Sequence, residues 1–182
     1  MPAKALIFDS GVGGFSVLQH IRNAVPGLET SYLMDNKLFP YGIQPDDVLI
    51  ERIVSLCQQA CAVEPIDIIV IACNTASTLA LPALREVFNI PIVGVVPAIK
   101  TAAQRSENRH IALLATPATI DRPYIDQLIT DYAGDCKVDK IGSSELVVLA
   151  ENYWFSGQLD SLALSSMLLP WIKAEGLDQV VL

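Results

Sequence analysis

Residues 64–77, "EPIDIIVIACNTAS", join an apolar run to a polar turn and a helical pattern. The β-branched run at 68–72 is typical of a strand buried on both faces of a sheet. Other strand-like runs lie at 5–8, 31–34, 92–96, 110–115, 137–141 and 179–182. Helical patterns alternate with them at about 15–25, 46–63, 77–88, 98–105, 119–132 and 160–175. This alternation predicts an α/β fold with mostly parallel sheets and helices on both faces.

The sequence predicts two α/β units, residues 1–96 and 97–182. Pro97 in "VGVVPAIK" (93–100) ends a strand before a new helical pattern and so marks the boundary. A weak internal repeat agrees, because "EPIDIIVI" (64–71) and "EGLDQVVL" (175–182) share Glu, Asp and Val at the same spacing. The first copy continues with "ACNT". The repeat therefore predicts a second cysteine two positions beyond Leu182, and an incomplete second unit.

Composition excludes several classes of function. The chain of 182 residues has a formal net charge of −8 and a pI near 4.6, which argues against a nucleic-acid or anionic-membrane surface. Its longest clean apolar run, "IIVIAC", is far shorter than the roughly 20 residues of a membrane span. The start, "MPAKALIFDSG", has no signal-peptide pattern. These features predict a soluble cytoplasmic protein without membrane or nucleic-acid partners.

The spacing of potential soft ligands argues against a metal site. Cys57, Cys61, Cys73 and Cys136 form no C-x-x-C pair, and the further imidazoles are those of His20 and His110. In the cytoplasm these thiols are expected to be reduced.

Polar residues follow several of the predicted strands. They occur in "DSGVGG" (9–14), "MDNKLFPYG" (34–42), "ACNTAST" (72–78) and "ATPAT" (115–119). Ligands of an open parallel sheet bind beyond the carboxyl ends of its strands. We therefore expect these segments to form the functional rim.

The glycine-rich segment admits two interpretations. Gly11, Gly13 and Gly14 fit neither the dinucleotide fingerprint nor the P-loop, and Asp9 directly before them would repel a phosphate. We interpret the segment as a tight turn that needs a positive φ and a close backbone approach, with exposed amide groups that could hold a carboxylate.

A phosphatase of the haloacid-dehalogenase type is a further alternative, because "LIFDSGVG" and "ALLATP" resemble the first two motifs of that family. Those enzymes carry a second aspartate two positions after the first. Gly11 stands there, so the general acid is lacking and this function is not favoured.

Cys73 is the principal catalytic candidate. It follows a buried strand and precedes a helix predicted to begin near Ser77, where amide groups and the helix dipole favour a thiolate. We therefore expect a lowered pKa and a role as a base, with Asp9 facing it. Cys57 and Cys61 are expected in the core, and His110 as a structural histidine at the start of a strand.

Several motifs together resemble glutamate racemases of the aspartate/glutamate racemase family. They are "FDSGVGGFSVL" (8–18), "DNKLFPYG" (35–42), "IACNTAS" (71–77) and "ATPATI" (115–120), with a less specific match at "LVVLAE". The resemblance covers the whole chain. It implies two α/β units related by a pseudo-twofold, with glutamate between them and no cofactor.

The resemblance also implies residue roles. Such enzymes convert L-glutamate to D-glutamate for peptidoglycan, and hence for cell-wall biogenesis and cell shape, by passing protons between two cysteines on opposite faces of the substrate. Cys73 matches the first of these, and Asp9 the carboxylate beside it. Positions matching substrate contacts are Ser10, Tyr41, Gly42, Asn74 and Thr75, with Thr116 and Thr119 as additional contacts. Asp35 and Glu151 are placed behind these contacts.

The second family motif, Gly-Cys-Thr-His, is expected after a strand written like "DQVVL". Without it, residues 1–182 alone are expected to racemise little or no glutamate. A non-enzymatic remnant that binds an acidic amino acid or a protein partner is therefore an alternative. The sister families of hydantoin racemases and arylmalonate decarboxylases fit the Pro-Tyr-Gly segment less well. A homodimer is a further expectation.

Overall fold

The computed structural model describes residues 2–182, which form two compact units, one ending at Val96 and the other comprising Pro97–Leu182. The first contains β1 (Lys4–Asp9), α1 (Gly14–Ala24), β2 (Glu29–Met34), α2 (Asp46–Val63), β3 (Ile68–Ile71), α3 (Asn74–Val87) and β4 (Ile92–Gly94). Two short 3-10 turns, Asn36–Leu38 and Tyr41–Ile43, connect β2 to α2. The second contains α4 (Ile99–Arg105), β5 (His110–Ala115), α5 (Pro117–Ile120), α6 (Pro123–Tyr132), β6 (Lys137–Gly142), α7 (Ser144–Ser156), α8 (Ser161–Ile172) and β7 (Gln179–Val181).

The first unit is built on a parallel sheet with the strand order β2-β1-β3-β4. Alternate residues of its central strands face opposite sides. Phe8 and Ile71 pack with residues of α2 and α3, such as Leu49 and Ala80, whereas Ile7 packs with α1 on the other face. The predicted α/β class, with helices on both faces of a parallel sheet, is confirmed for this unit.

The second unit repeats the arrangement with the order β6-β5-β7, again parallel. Ile111 and Leu113 pack with α4 and α6, and Leu114 packs on the opposite face with Trp171 of α8. The strand β7 pairs with the central β5 as β3 pairs with β1.

The aspartates of the sequence repeat make equivalent backbone contacts in the two units. Asp67 donates its N–H to the carbonyl of Lys4, the first residue of β1, at 2.8 Å, and Asp178 donates to the carbonyl of His110, the first residue of β5, at 3.2 Å. Each carboxylate also accepts N–H groups from the start of the central strand or the loop before it, namely those of Lys4 and of Glu107 and Asn108. The repeat thus reflects a common way of joining β3 to β1 and β7 to β5.

The predicted helices differ from the structure in several places. The pattern at 119–132 is two helices, because Pro123 lacks the N–H that a continuous helix needs. The segment 144–156 is helix α7, for which we predicted no helix. The aromatic side chains of Tyr153, Trp154 and Phe155 on α7 are exposed. No helix among residues 2–182 is both long and apolar enough to cross a membrane.

Candidate functional site

The carboxyl ends of β1 and β3 bring Ser10 and Cys73 together. The pairing of Phe8 with Ile71, and the bond from the Ala72 N–H to the Phe8 carbonyl, align the two strand ends. As a result the Ser10 hydroxyl oxygen and the Cys73 sulfur lie 3.5 Å apart, both buried. The predicted convergence of these motifs on one rim is thus present in the first unit.

Cys73 itself caps helix α3. Its sulfur accepts the Ala76 N–H at 3.5 Å, so the helix begins at Asn74 rather than near Ser77 as expected. Asn74 and Thr75 therefore form the first turn, with Thr75 buried. Ser77 is also buried and donates its hydroxyl to the Ile71 carbonyl at 2.9 Å, which fixes the end of β3.

The expected lowering of the Cys73 pKa is wrong. Burial and, to a smaller extent, the neighbouring Asp9 carboxylate raise the pKa of the Cys73 thiol to about 12. Hydrogen bonds from the Ala76 amide and from Ser10 act in the opposite direction but are outweighed. At neutral pH the N-cap of α3 is therefore a neutral thiol. It can act as a proton donor first, and as an acceptor only after it has lost that proton.

Asp9 is enclosed by its own loop. Its carboxylate accepts the Ser10 N–H at 2.8 Å and the Gly14 N–H at 2.6 Å, and Tyr32 donates its hydroxyl to it at 3.4 Å. Burial raises the pKa of Asp9, while these amides and a hydrogen bond with the Cys73 thiol lower it. The amide groups of the glycine-rich loop were expected to be able to hold a carboxylate. The carboxylate that the Ser10 and Gly14 amides bind is the side chain of Asp9.

The glycine loop has close approach without positive φ. Gly13 lies in the right-handed region at φ −56°, and Gly14 is the first residue of α1, so the predicted positive φ is wrong. The predicted close approach is present, because a Cβ on Gly14 would lie 2.6 Å from the Tyr32 hydroxyl and 2.9 Å from the Asp9 Cβ. Any side chain at position 14 would displace Asp9 or Tyr32.

The Tyr41–Ile43 turn stands at the same rim. Tyr41 and Gly42 are buried, and the Tyr41 ring packs against Phe8 with ring centroids 6.4 Å apart. Tyr41 donates its hydroxyl to Asp35 at 2.7 Å, and Arg52 of α2 donates to both carboxylate oxygens of Asp35 at 2.5 Å. Asp35, which the sequence placed behind the expected substrate contacts, thus bonds to Tyr41. The sequence did not indicate Arg52 or Tyr32, which lie in ordinary helix and strand patterns without a motif.

The remaining predicted residues belong to the second unit. The Thr116 hydroxyl caps α5 by accepting the Thr119 N–H at 3.3 Å, and the two threonine hydroxyls are 3.0 Å apart. Thr116 follows β5 as Ser10 follows β1, since Ser143 donates its N–H to the Ala115 carbonyl as Asp35 does to that of Asp9. Glu151 lies on α7 and is partly buried.

The other thiols and the histidines fall outside the rim of the first sheet. Cys57 is fully buried on α2, where burial raises its pKa to about 12, and Cys61 packs against the same core. His110 is buried, with ring nitrogens 3.0 Å from the Glu175 carbonyl and 2.7 Å from Asp139. His20 is exposed on α1. His110 therefore has the structural contacts that were expected of it.

The chain is similar to known racemases over its whole length. Residues 13–182 match the family model described as Asp/Glu/Hydantoin racemase. A glutamate racemase of Shewanella loihica is 50% identical over 182 residues, which are 100% of this chain and 68% of that protein. One of Pasteurella multocida is 49% identical over 177 residues, 97% of this chain and 66% of that protein.

A solved structure agrees with these sequences. The crystal structure of Escherichia coli glutamate racemase in complex with L-glutamate and the activator UDP-MurNAc-Ala superimposes with a TM-score of 0.96 at 43% identity. The match covers 100% of this chain and 69% of that one. The chain thus spans about two thirds of the length of these relatives, and it belongs to the Asp/Glu/Hydantoin racemase family, among the glutamate racemases.

Proposed function

We propose that this chain takes part in the interconversion of L- and D-glutamate, with Cys73 as one of the two groups that transfer a proton at the α-carbon. The observation that carries the proposal is the 3.5 Å contact between Ser10 and Cys73 at a strand end, beside the buried Asp9. A thiol flanked by a hydroxyl, an amide and a carboxylate is suited to proton transfer. Family membership supplies the substrate class.

Inversion at a tetrahedral carbon needs an acid and a base on opposite faces of the substrate. Because its pKa is raised, Cys73 starts as a neutral thiol and delivers its proton to the α-carbon, which leaves the sulfur as a thiolate. A base on the other face has by then taken the original α-proton. In the reverse direction the Cys73 thiolate removes the α-proton and becomes the thiol again.

Asp9 is proposed to assist both directions. Its carboxylate lies beside the Cys73 thiol. Burial raises the pKa of Asp9, so the proton affinity of its carboxylate is closer to that of the Cys73 thiolate than that of an exposed aspartate would be. The positive ammonium group of a bound amino acid would favour thiolate, since an opposite charge lowers the pKa of a thiol. Substrate binding would thereby prepare Cys73 as a base.

The substrate contacts are proposals by position. Ser10, Tyr41, Gly42, Asn74 and Thr75 surround the carboxyl ends of β1 and β3 in the first unit. For the second unit we propose Thr116 and Thr119 as contacts, with Glu151 behind them. Thr116 has the position after β5 that Ser10 has after β1.

The setting of the reaction is also proposed. Within residues 2–182 the four cysteines are free thiols, which agrees with a reducing compartment, and we propose the cytoplasm.

A homodimer is proposed as well, because Tyr153, Trp154 and Phe155 expose about half or more of their surface on α7. Analytical ultracentrifugation decides between monomer and dimer.

The test is α-proton exchange of L-glutamate and, separately, of D-glutamate in D₂O, followed by ¹H NMR, together with an enantiomer assay. The 182-residue chain contributes one rim thiol in its first unit, so we expect deuterium at the α-carbon of the enantiomer whose α-proton faces Cys73, with little or no inversion. Glutamate binding without exchange would overturn the proposal and favour the non-enzymatic binding function.

A further inference from the structure

Arg52, Asp35 and Tyr41 form a chain of hydrogen bonds behind the site. Arg52 donates from Nε and Nη2 to the two oxygens of Asp35, each at 2.5 Å, and Tyr41 donates its hydroxyl to Asp35 Oδ2 at 2.7 Å. Asp35 also donates its backbone N–H to the Asp9 carbonyl at 2.9 Å. Asp35 therefore joins three segments, namely the end of β1, the Tyr41–Ile43 turn and helix α2.

The negative charge of Asp35 in this hydrogen-bond chain is paired with the positive charge of Arg52. Asp35 is 4% exposed, and an unpaired carboxylate in such a place is strongly disfavoured. Burial acts to raise the pKa of Asp35, but the hydrogen bonds from Arg52 and Tyr41 and the charge of Arg52 hold it below its ordinary value. Asp35 consequently remains an acceptor for Tyr41. The planar guanidinium fixes the carboxylate in two places, which an ammonium cannot do.

The Tyr41 ring has little freedom to move independently. It is 2% exposed, packs against Phe8 of β1, and begins the 3-10 turn that contains Gly42. The Gln44 N–H donates to the Tyr41 carbonyl at 3.1 Å, which closes that turn. Displacement of the Tyr41 hydroxyl would therefore displace the backbone of Tyr41 and Gly42 as well.

We propose that Arg52 is a positioning residue for the reaction at Cys73. Through Asp35 it fixes the Tyr41 hydroxyl, and through Tyr41 it sets the turn whose Tyr41 and Gly42 are proposed to contact glutamate. This inference rests on the proposed function, but its geometry lies entirely within the first unit. Arg52 itself does not touch the reacting atoms in this account.

The first measurement needs no substrate. The chain contains five tyrosines, so ring ¹³C–¹H NMR spectra can be resolved, and Tyr41→Phe assigns the Tyr41 signals. Arg52→Gln is expected to shift the Tyr41 signals, and Arg52→Lys to shift them less. Arg85→Gln is the matched control, because Arg85 of α3 donates to the Ile92 carbonyl away from this chain of bonds. Unchanged Tyr41 signals in Arg52→Gln would overturn the proposal.

The second measurement separates binding from chemistry. In the deuterium-exchange assay, Arg52→Gln is expected to raise the glutamate concentration for half-maximal exchange about tenfold, with a smaller change in maximal rate. Arg52→Lys should recover part of the loss, and Arg85→Gln should match the unmodified chain. Adding Tyr41→Phe to Arg52→Gln should add little, because both act on the same contact.

The outcomes remain distinguishable. If Tyr41 moves in Arg52→Gln but the glutamate dependence of exchange does not change, the chain of bonds is only structural and the positioning role is refuted. If the unmodified chain shows no glutamate-dependent exchange, the proposed function fails, while the NMR comparison still decides the link between Arg52 and Tyr41.

Discussion

The Ser10 hydroxyl oxygen lies 3.5 Å from the Cys73 sulfur, although 63 positions separate the two residues in the sequence. Parallel pairing of β1 and β3 brings them together. The hydrogen bond from Ser10 favours the thiolate and so acts to lower the pKa of Cys73, against the larger effect of burial. Ser10 is therefore a direct partner of the proposed proton-transfer group.

Replacing Ser10 by alanine should slow α-proton exchange. A hydrogen bond to a charged group contributes about 1.5–3 kcal/mol, so the loss should reduce the exchange rate by about tenfold or more. The readout is the initial rate of deuterium incorporation at saturating glutamate. Ser16→Ala, at an exposed position of α1 in the same unit, is the control and should not change the rate. Equal rates for Ser10→Ala and Ser16→Ala would contradict a role for Ser10.

The buried thiols predict a loss of stability at alkaline pH. Burial raises the pKa of Cys57 to about 12, whereas cysteines of an unfolded chain titrate near about 8.5. The folded state thus keeps a proton that the unfolded state loses. The stabilisation is complete below about pH 8.5 and is lost as pH rises from there through the folded pKa, at about 1.4 kcal/mol per pH unit and thiol.

Urea unfolding between pH 7.5 and 10.5 measures this effect. Lysines and tyrosines also titrate in this range, so the quantity to compare is the pH slope of the unmodified chain against that of Cys57→Ala. We expect the variant to be less stable at pH 7.5 but to lose less stability on going to pH 10.5. Identical slopes in the two proteins would show that the Cys57 thiol is not held protonated by the fold.

Ser77 should be important for stability near the site. Its hydroxyl donates to the Ile71 carbonyl at 2.9 Å and accepts the Val95 N–H at 3.1 Å, so it joins the ends of β3 and β4. Ser77→Ala removes both bonds, while the Val95 N–H keeps the Ile71 carbonyl as an acceptor at 3.1 Å, so the variant should lose about 1–1.5 kcal/mol of unfolding free energy. Ser55→Ala on α2 should cost less than about 0.5 kcal/mol. Chemical denaturation compares them, and a Ser77→Ala loss no larger than that of Ser55→Ala would refute the assignment.

The sequence predicted the strands better than the helices, for a physical reason. Short apolar runs such as 68–71 and 110–115 have few alternatives once turn residues bound them. Helix α7 was missed because the apolar and polar residues of its segment show no amphipathic periodicity. The start of α3 was misplaced because its cap is the Cys73 sulfur, an acceptor outside the usual capping residues.

The site was predictable in its residues but not in its electrostatics. Asp9, Ser10 and Cys73 could be placed on one rim because each follows a strand of a parallel sheet. The raised pKa of Cys73 depends on how completely neighbouring segments cover the thiol, which no local pattern records. Arg52 was missed for a similar reason, since only the folded chain brings it to Asp35, 17 positions away.

The most direct test of the role of Cys73 is deuterium exchange at the α-carbon of L-glutamate and of D-glutamate by the unmodified chain, Cys73→Ala and Cys61→Ala. Cys61 is the matched thiol because it lies on α2, in the same unit but away from the rim. The unmodified chain and Cys61→Ala should exchange at similar rates that increase from pH 7 to 9, since the thiolate fraction of Cys73 grows as pH approaches its raised pKa. Cys73→Ala should exchange at least about 100-fold more slowly. Exchange by Cys73→Ala at the rate of the unmodified chain would contradict the assignment of Cys73 as a proton-transfer group.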